Sequence, residues 1–227
     1  MTAQGGARRA VWTDFGGVLT PPVAQTLARY CAQIGVPVEA FGAAMRAVAA
    51  DAGVVDVMAP LDTPLMDQRT WERAMEDALA DQGLSAQLAD FPSRWFADRS
   101  TNQSWVAALR ALRARGVFVG LLSNMPPAWD RYWRATVAPD GLFDDVVLSF
   151  EVGCRKPEPA VFALAAARAG TTPDRCLLVD DLEPNCAAAR EAGWHAVRFE
   201  STPQAEQALG ALLRSSDPVP VDQEVHR

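Results

Sequence analysis

The chain lacks a basic excess. It carries 21 Lys and Arg against 28 Asp and Glu, a formal charge of −7. A nucleic-acid binder ordinarily brings surplus cations to displace counterions from phosphates, so duplex binding is excluded from the expectations. Long hydrophobic runs are also missing. No stretch approaches the roughly 18 to 20 apolar residues that a membrane helix needs, and Met1–Arg9 has no apolar segment behind Arg8 and Arg9. Neither secretion nor membrane spanning is expected. Cysteine is sparse, and Cys31, Cys154, Cys176 and Cys186 show no CxxC spacing. They read as buried thiols of a cytoplasmic protein rather than a disulfide framework or a zinc knuckle. Lysine is almost absent: Lys156 is the single Lys among the 21 basic residues.

What is present is ordinary globular material, 49% hydrophobic and 22% charged over 227 residues. That length fits one large domain or one domain with an insertion. Five short apolar or β-branched runs read as buried strands: Ala10–Phe15, Val117–Leu122, Asp145–Ser149, Cys176–Val179 and His195–Phe199. Helical segments separate the last four, at Pro127–Val137, at Glu158–Ala169 before Gly170, and at Pro184–Ala192 before Gly193. Alternation of strand and helix predicts an α/β fold, a Rossmann-like parallel sheet with helices on both faces. About a hundred residues separate the first strand from the second, far more than one crossover helix requires. They contain four amphipathic segments, Val23–Ile34, Glu39–Ala50, Thr70–Gln82 and Gln87–Asp98, with Pro60 and Pro64 punctuating a loop. The expected organisation is a core of residues 1–20 and 100–214, an inserted helical cap of residues 21–99, and a flexible polar tail of residues 215–227. Asn102–Arg115 returns the chain to the sheet.

In parallel α/β sheets, ligands sit beyond the carboxyl ends of the strands. The residues at those ends are Asp14 before Phe15-Gly16-Gly17, Ser123-Asn124, Lys156 in Gly153-Cys154-Arg155-Lys156-Pro157, and Asp180-Asp181. Three carboxylates converging on one edge repel one another unless a hard cation neutralises them, and an all-oxygen ligand set favours Mg²⁺. A cation and a lysine together face an anion. Phosphate suits such a site, because phosphoryl transfer relies on a positioned nucleophile and cationic stabilisation. The Asp-Phe-Gly triplet also occurs in protein kinases, but the chain has neither an HRD loop nor a Val-Ala-Ile-Lys strand.

The order Asp-x-x-Gly, Ser-Asn, Lys-Pro and Asp-Asp resembles the haloacid dehalogenase superfamily. Gly153–Gly170 (GCRKPEPAVFALAAARAG) and Leu178–Gly193 (LVDDLEPNCAAAREAG) are similar to the third and fourth motifs of its capped members. The Asp-Asp-x-x-x-Asn form resembles the branch holding the N-terminal phosphatase domain of soluble epoxide hydrolase and certain bacterial sugar-phosphate phosphatases. The resemblance implies that Asp14 is a nucleophile forming an aspartyl-phosphate. It implies that Asp14, the Gly16 carbonyl and Asp180 hold Mg²⁺ and that Asp181 orients a metal-bound water. Ser123, Asn124 and neighbouring backbone N–H groups would bind phosphate oxygens, and Lys156 would neutralise charge on Asp14 and the phosphoryl group.

The family's phosphatases usually place a second Asp two residues after the nucleophile as general acid and base; here Gly16 stands there. Either another residue, Glu183 or a carboxylate of the cap among the candidates, moves the proton instead, or the protein binds without hydrolysis. Dehalogenation fits less well, because those enzymes place an Arg soon after the first motif and residues 18–24 hold none. The implied function is a Mg²⁺-dependent phosphoric monoester hydrolase for a small phosphorylated metabolite. The alternative is an impaired relative that binds a phosphate, a diphosphate or a partner protein without turnover. Trp71, Phe91, Trp95 and Phe96 recur at helical spacing, which fits core packing; Trp71 and Trp95 are the aromatics that would otherwise line a substrate pocket.

Overall fold

The structure, a computed structural model, describes residues 8–63 and 65–215. Its centre is a five-stranded parallel sheet: β1 (Ala10–Thr13), β2 (Phe118–Ser123), β3 (Asp145–Leu148), β4 (Cys176–Asp180) and β5 (His195–Arg198), in spatial order β3-β2-β1-β4-β5. All five expected strands are present. Order follows function here, because β1 lies between β2 and β4 and brings Asp14 between the ends that carry Ser123 and Asp180.

Both faces of the sheet are covered, as the uniform burial of β1, β2 and β4 requires. Strand alternation sends Val11, Val119, Leu121 and Val179 to one face and Ala10, Trp12, Leu122 and Leu178 to the other. The Trp12 ring lies across Gly120, where a Cβ would come within 2.3 Å of it, so this strand glycine makes room for an indole.

Between β1 and β2 the chain forms α1 (Val23–Ile34), α2 (Val38–Asp51), α3 (Ala59–Asp62), α4 (Gln68–Ala80) and α5 (Phe91–Phe96). Helix α2 packs on α4, and α1 packs on α2 and α5. Their buried side chains, among them Tyr30, Phe41, Met75 and Phe91, join the same apolar cluster as Val11 and Val119 of the sheet. Then follow α6 (Gln103–Ala114), a 3-10 turn at Pro127–Trp129, α7 (Asp130–Val137), α8 (Ser149–Val152), α9 (Pro159–Arg168), α10 (Glu183–Glu191) and α11 (Thr202–Ser215). Helices α6 and α11 cover one face, and α9 and α10 the other. Asn102 caps α6 by accepting the Trp105 N–H at 3.2 Å, and Asp67 caps α4 by accepting that of Thr70 at 2.8 Å.

Three differences from the sequence expectation have local causes. The fourth inserted helix is shorter than Gln87–Asp98, because Asp90 and Asp98 take left-handed φ of 63° and 55° on either side of it. The segment before it and its first residue are tied to α4: Leu88 N–H donates to Glu76 Oε1 at 2.6 Å and Phe91 N–H to Glu72 Oε1 at 3.3 Å. Pro60 belongs to α3, in the first turn, where a missing N–H costs no hydrogen bond; Pro64 lies outside the described residues. Helices α3, α8 and α11 were not expected. Two are a single turn, too short to show periodicity, and α11 precedes a tail that, after Ser215, lies outside the described residues.

No described helix is long and apolar enough to cross a membrane. The four cysteines are free, and burial pushes the Cys176 thiol up to about 12 and the Cys186 thiol up to about 11, the opposite of an activated nucleophile.

Candidate active site

Asp14 is the first residue past β1. Its N–H donates to the Val179 carbonyl of β4 at 2.9 Å, which holds the backbone in the sheet while the side chain leaves the strand end. Thr13 Oγ1, fixed by the Trp105 indole N–H at 3.0 Å, bonds the Asp14 carbonyl at 3.0 Å. The carboxylate meets Lys156 Nζ at 2.9 Å, and the same ammonium meets Asp180 Oδ2 at 2.5 Å. All three groups are buried, with Lys156 2% and Asp180 0% exposed.

Lys156 owes its position to Asn124. The Asn124 amide donates to the Lys156 carbonyl at 2.8 Å and accepts the Lys156 N–H at 2.8 Å, so β2 clamps the loop that delivers the lysine. The Asn124 side chain, expected to contact phosphate, spends its carbonyl and one N–H on Lys156 and still lines the cavity. Asp180 is held in turn by the Leu182 N–H at 2.9 Å and by the Asn185 amide at 3.0 Å to each carboxylate oxygen. Asn185 is a positioning residue, named in the sequence only as part of a motif.

Oxygens of Asp14, Asp180 and Asp181 lie within 4.8 Å of one another. Burial, and then repulsion from Asp14 and Asp180, pushes Asp181 up to about 7. Burial also raises Asp14 despite the neighbouring ammonium. Burial opposes the charge on Lys156, but Asp14 and Asp180 outweigh it and hold the ammonium above its ordinary range. Three carboxylates and one ammonium leave two negative charges without a partner, a set that a divalent hard cation fits in charge and donor type. Asp181 sits against Gly17, whose φ is +76° and where a Cβ would come within 2.1 Å of Asp181 Oδ2. Only glycine permits both that backbone and that approach.

A cavity of about 340 Å³ opens on this cluster, with Asp14, Gly16, Ser123 and Asn124 at its floor. Ser123 Oγ faces it with only a long contact to the Asn124 carbonyl, 3.5 Å. Of the two tryptophans singled out in the sequence, Trp95 lines the cavity. Trp71 does not: it is 1% exposed and stands edge-on behind Phe91, ring centroids 5.0 Å apart. Glu183 does not line the cavity either, its carboxylate being paired with Arg190 at 2.7 Å. Asp14 is the sole carboxylate among the lining residues, so no inserted-helix carboxylate lines the cavity as a replacement acid.

The haloacid dehalogenase-like hydrolase family model matches residues 8–193, which include β1, the inserted helices and every residue of this cluster. The chain belongs to the haloacid dehalogenase-like hydrolases. It is 30% identical over 212 residues to enolase-phosphatase E1 of Streptomyces avermitilis, covering 86% of this chain and 78% of that one. It is 30% identical over 131 residues to the phosphoserine phosphatase of Thermus thermophilus, a match spanning 53% of that enzyme, and 32% identical over 152 residues to the phosphoglycolate phosphatase of Rhodospirillum rubrum, spanning 61% of it. Among solved structures, the L-2-haloacid dehalogenase RSc1362 superposes with a TM-score of 0.64 at 25% identity, over 84% of this chain and 85% of that one. A haloacid dehalogenase family enzyme of Bacteroides thetaiotaomicron, solved with magnesium and inorganic phosphate, gives 0.63 at 19% identity over 85% and 94%.

Among the cavity residues of this haloacid dehalogenase-like hydrolase that sequence reasoning missed are Arg46, Arg99 and Trp129. Trp129 ends a 3-10 turn after β2, and Arg99 follows α5; neither stands at a strand end. The signal available for Arg99 was its place in an aromatic-rich stretch, Phe91 to Arg99, whose meaning depends on what folds against it.

Proposed function

We propose that this hydrolase is a Mg²⁺-dependent phosphatase that transfers the phosphoryl group of a small phosphorylated metabolite to Asp14. The observation that carries the reading is Asp14 itself: a carboxylate at the floor of the cavity, 2.9 Å from a buried lysine and clustered with two further carboxylates. Asp14, Asp180, Asp181 and the Gly16 carbonyl are the groups that would hold the ion. When bound, Mg²⁺ neutralises charge on Asp14 and the incoming phosphate so that two anions can meet. The protein's own groups do the rest. One Asp14 oxygen attacks phosphorus, the ester P–O bond breaks, and water later attacks the resulting aspartyl-phosphate. Lys156 stabilises the equatorial oxygens, and Ser123 with nearby backbone N–H groups binds and orients them. Residues 21–99 act as a cap that limits entry to small molecules and excludes water. Four free cysteines fit residence in the reducing cytoplasm.

Gly16 favours one competing reading, a relative that binds phosphate without turning it over. General acid–base help is typically worth about 10² to 10⁴ in rate, and the cavity offers no second carboxylate to supply it. The test is a phosphate-release screen with Mg²⁺ across sugar, acyl, aryl and nucleoside phosphates, combined with trapping of the phosphorylated protein. Release from some ester with label on Asp14 is the expected result. Binding of phosphate with no release and no labelled Asp14 would establish the competing reading.

A further inference from the structure

The cavity above Asp14 has a floor and a wall of opposite character. Away from the carboxylates it is lined mainly by Leu27, Met45, Met58, Phe91, Trp95 and Trp129, and the exposed Arg46 also lines it. Two features of this wall bear on what the ligand carries beyond its phosphate. The first is size. A volume of about 340 Å³ lies at the small end of small-molecule pockets. Two tryptophans 5.6 Å apart, both against Phe91, give flat apolar surfaces. A sugar or amino acid would leave most of its hydroxyl or amino groups facing rings and thioethers. Only Arg46 and the indole N–H groups of Trp95 and Trp129, without a partner among the described residues, could meet them. Buried polar groups without partners are costly. An apolar body gains by the same transfer.

The second feature is Arg99. It is 8% exposed, yet among the described residues no carboxylate pairs with it. Its Nε donates to Thr20 Oγ1 at 3.0 Å, and its guanidinium lies 4.9, 5.4 and 5.9 Å from the ring centres of Phe15, Phe96 and Trp95. That cage fixes the fork, and Arg99 lines the cavity. Its Nη2 is 3.6 Å from where a Cβ on Gly16 would stand. A fixed cation therefore occupies the flank from which a side chain at position 16 would act. A buried guanidinium that feels the Asp14 carboxylate only from beyond ion-pair distance is a ready partner for an oxyanion.

We propose that the site takes phosphate monoesters of apolar, aromatic-sized alcohols or phenols, and that Arg99 binds the ester oxygen as it leaves. This rests on the phosphatase reading for its chemistry. As the Asp14 oxygen bonds to phosphorus, the electron pair of the breaking P–O bond stays on the leaving oxygen; Arg99 holds that oxyanion until solvent water protonates it. No proton carrier at position 16 is then required, and leaving groups that form stable anions are preferred.

Two measurements on the full chain with Mg²⁺ test the proposal without needing turnover. In calorimetry, 1-naphthylmethylphosphonate should bind about tenfold more tightly than phosphonoacetate, a change equivalent to about 1.4 kcal/mol, and Met58→Gln should erase most of that preference while leaving inorganic phosphate binding unchanged. Equal binding, or tighter binding of phosphonoacetate, would overturn the apolar ligand and make Arg99 a carboxylate anchor. In spectroscopy, 4-nitrophenol bound with inorganic phosphate at a pH below its own pKa should show the phenolate band in the wild type and lose it in Arg99→Gln. A wild-type spectrum without the band, or an unchanged band in the variant, would remove Arg99 from the leaving oxygen. If these results hold while no ester releases phosphate, the phosphatase reading fails and the ligand class stands.

Discussion

The floor of the site and its wall are built in different ways. At the floor, Asp14, Asp180 and Lys156 are fixed by backbone hydrogen bonds and by the side-chain amides of Asn124 and Asn185. Asp14 and Asp180 sit at strand ends, so their places follow from the parallel sheet, and Lys156, in the loop after α8, is tied to the end of β2 through Asn124. At the wall, Phe91, Trp95, Trp129 and Arg99 come from α5, the segment after it and a turn beyond β2, and they are held by ring contacts and packing. Directional bonds among charges give the floor one geometry, whereas the wall's contacts are non-directional and adapt to volume. A phosphate-sized feature belongs to the floor; selectivity among esters belongs to the wall.

The largest expected effect breaks the floor. Asp14→Asn keeps the shape but loses the nucleophile, and phosphate release should vanish with the melting curve little changed; comparable turnover in that variant would sink the mechanism. Lys156→Met comes next. It strands Asp14 and Asp180, both buried, and removal of one partner from a buried ion pair typically costs about 3 to 5 kcal/mol. Denaturant unfolding in the presence of a chelator reads this directly, and a stability like that of the wild type would show that the carboxylates do not depend on the lysine.

On the wall, Trp71→Ala and Trp95→Ala separate packing from lining. Each should lose about 3 to 5 kcal/mol of stability as a large buried aromatic is removed, but only Trp95→Ala should also change the ratio of kcat/KM between apolar and polar esters. A selectivity change of the same size in Trp71→Ala would contradict its position behind Phe91. Gly16→Asp joins wall and floor. The Cβ of the new side chain would stand 3.6 Å from Arg99 Nη2, within reach for its carboxylate to pair with the guanidinium, so the single variant should gain nothing on alkyl esters, while Gly16→Asp with Arg99→Gln should recover part of the acid's contribution. A gain in the single variant would show the carboxylate free of Arg99.

The smallest effect lies where the inserted helices meet the lysine loop. Arg155, next to Lys156, pairs with Asp62 of α3 at 3.0 Å and with Asp56 at 3.1 Å. Burial outweighs the attraction of Arg155 and pushes Asp62 from 3.8 up to about 7. The folded state therefore binds the Asp62 proton more strongly than the unfolded chain. Its contribution is fully present below about pH 4 and is lost as pH rises through about 7. Asp62→Asn should flatten the decline of melting temperature over that interval; an identical slope in wild type and variant would assign the pH dependence to other groups.

Legibility divides along the same line. The five strands, the helices that separate them and the order Asp14, Ser123, Lys156, Asp180 were readable, because period, turn residues and strand ends are local properties of the chain. Solitary Lys156 was a further local signal: a chain that otherwise uses Arg kept a compact ammonium where two carboxylates needed one between them. The single-turn helices α3 and α8 were not readable, since four residues cannot display a 3.6-residue period. Nor could spacing distinguish Trp71 from Trp95, both aromatic, both helical and both buried.

The sequence alone determined the alternation that makes a parallel sheet, the chemistry at its carboxyl edge and the missing carboxyl at position 16. Only the tertiary structure decided that Asn124 holds Lys156, that Gly17 makes room for Asp181, and that Arg99 enters the space beside Gly16. The reason is range. A strand end presents its side chain through the backbone of its own segment, but Arg99 stands 85 residues from Asp14, and what lies beside it depends on how five helices share one apolar core with the sheet.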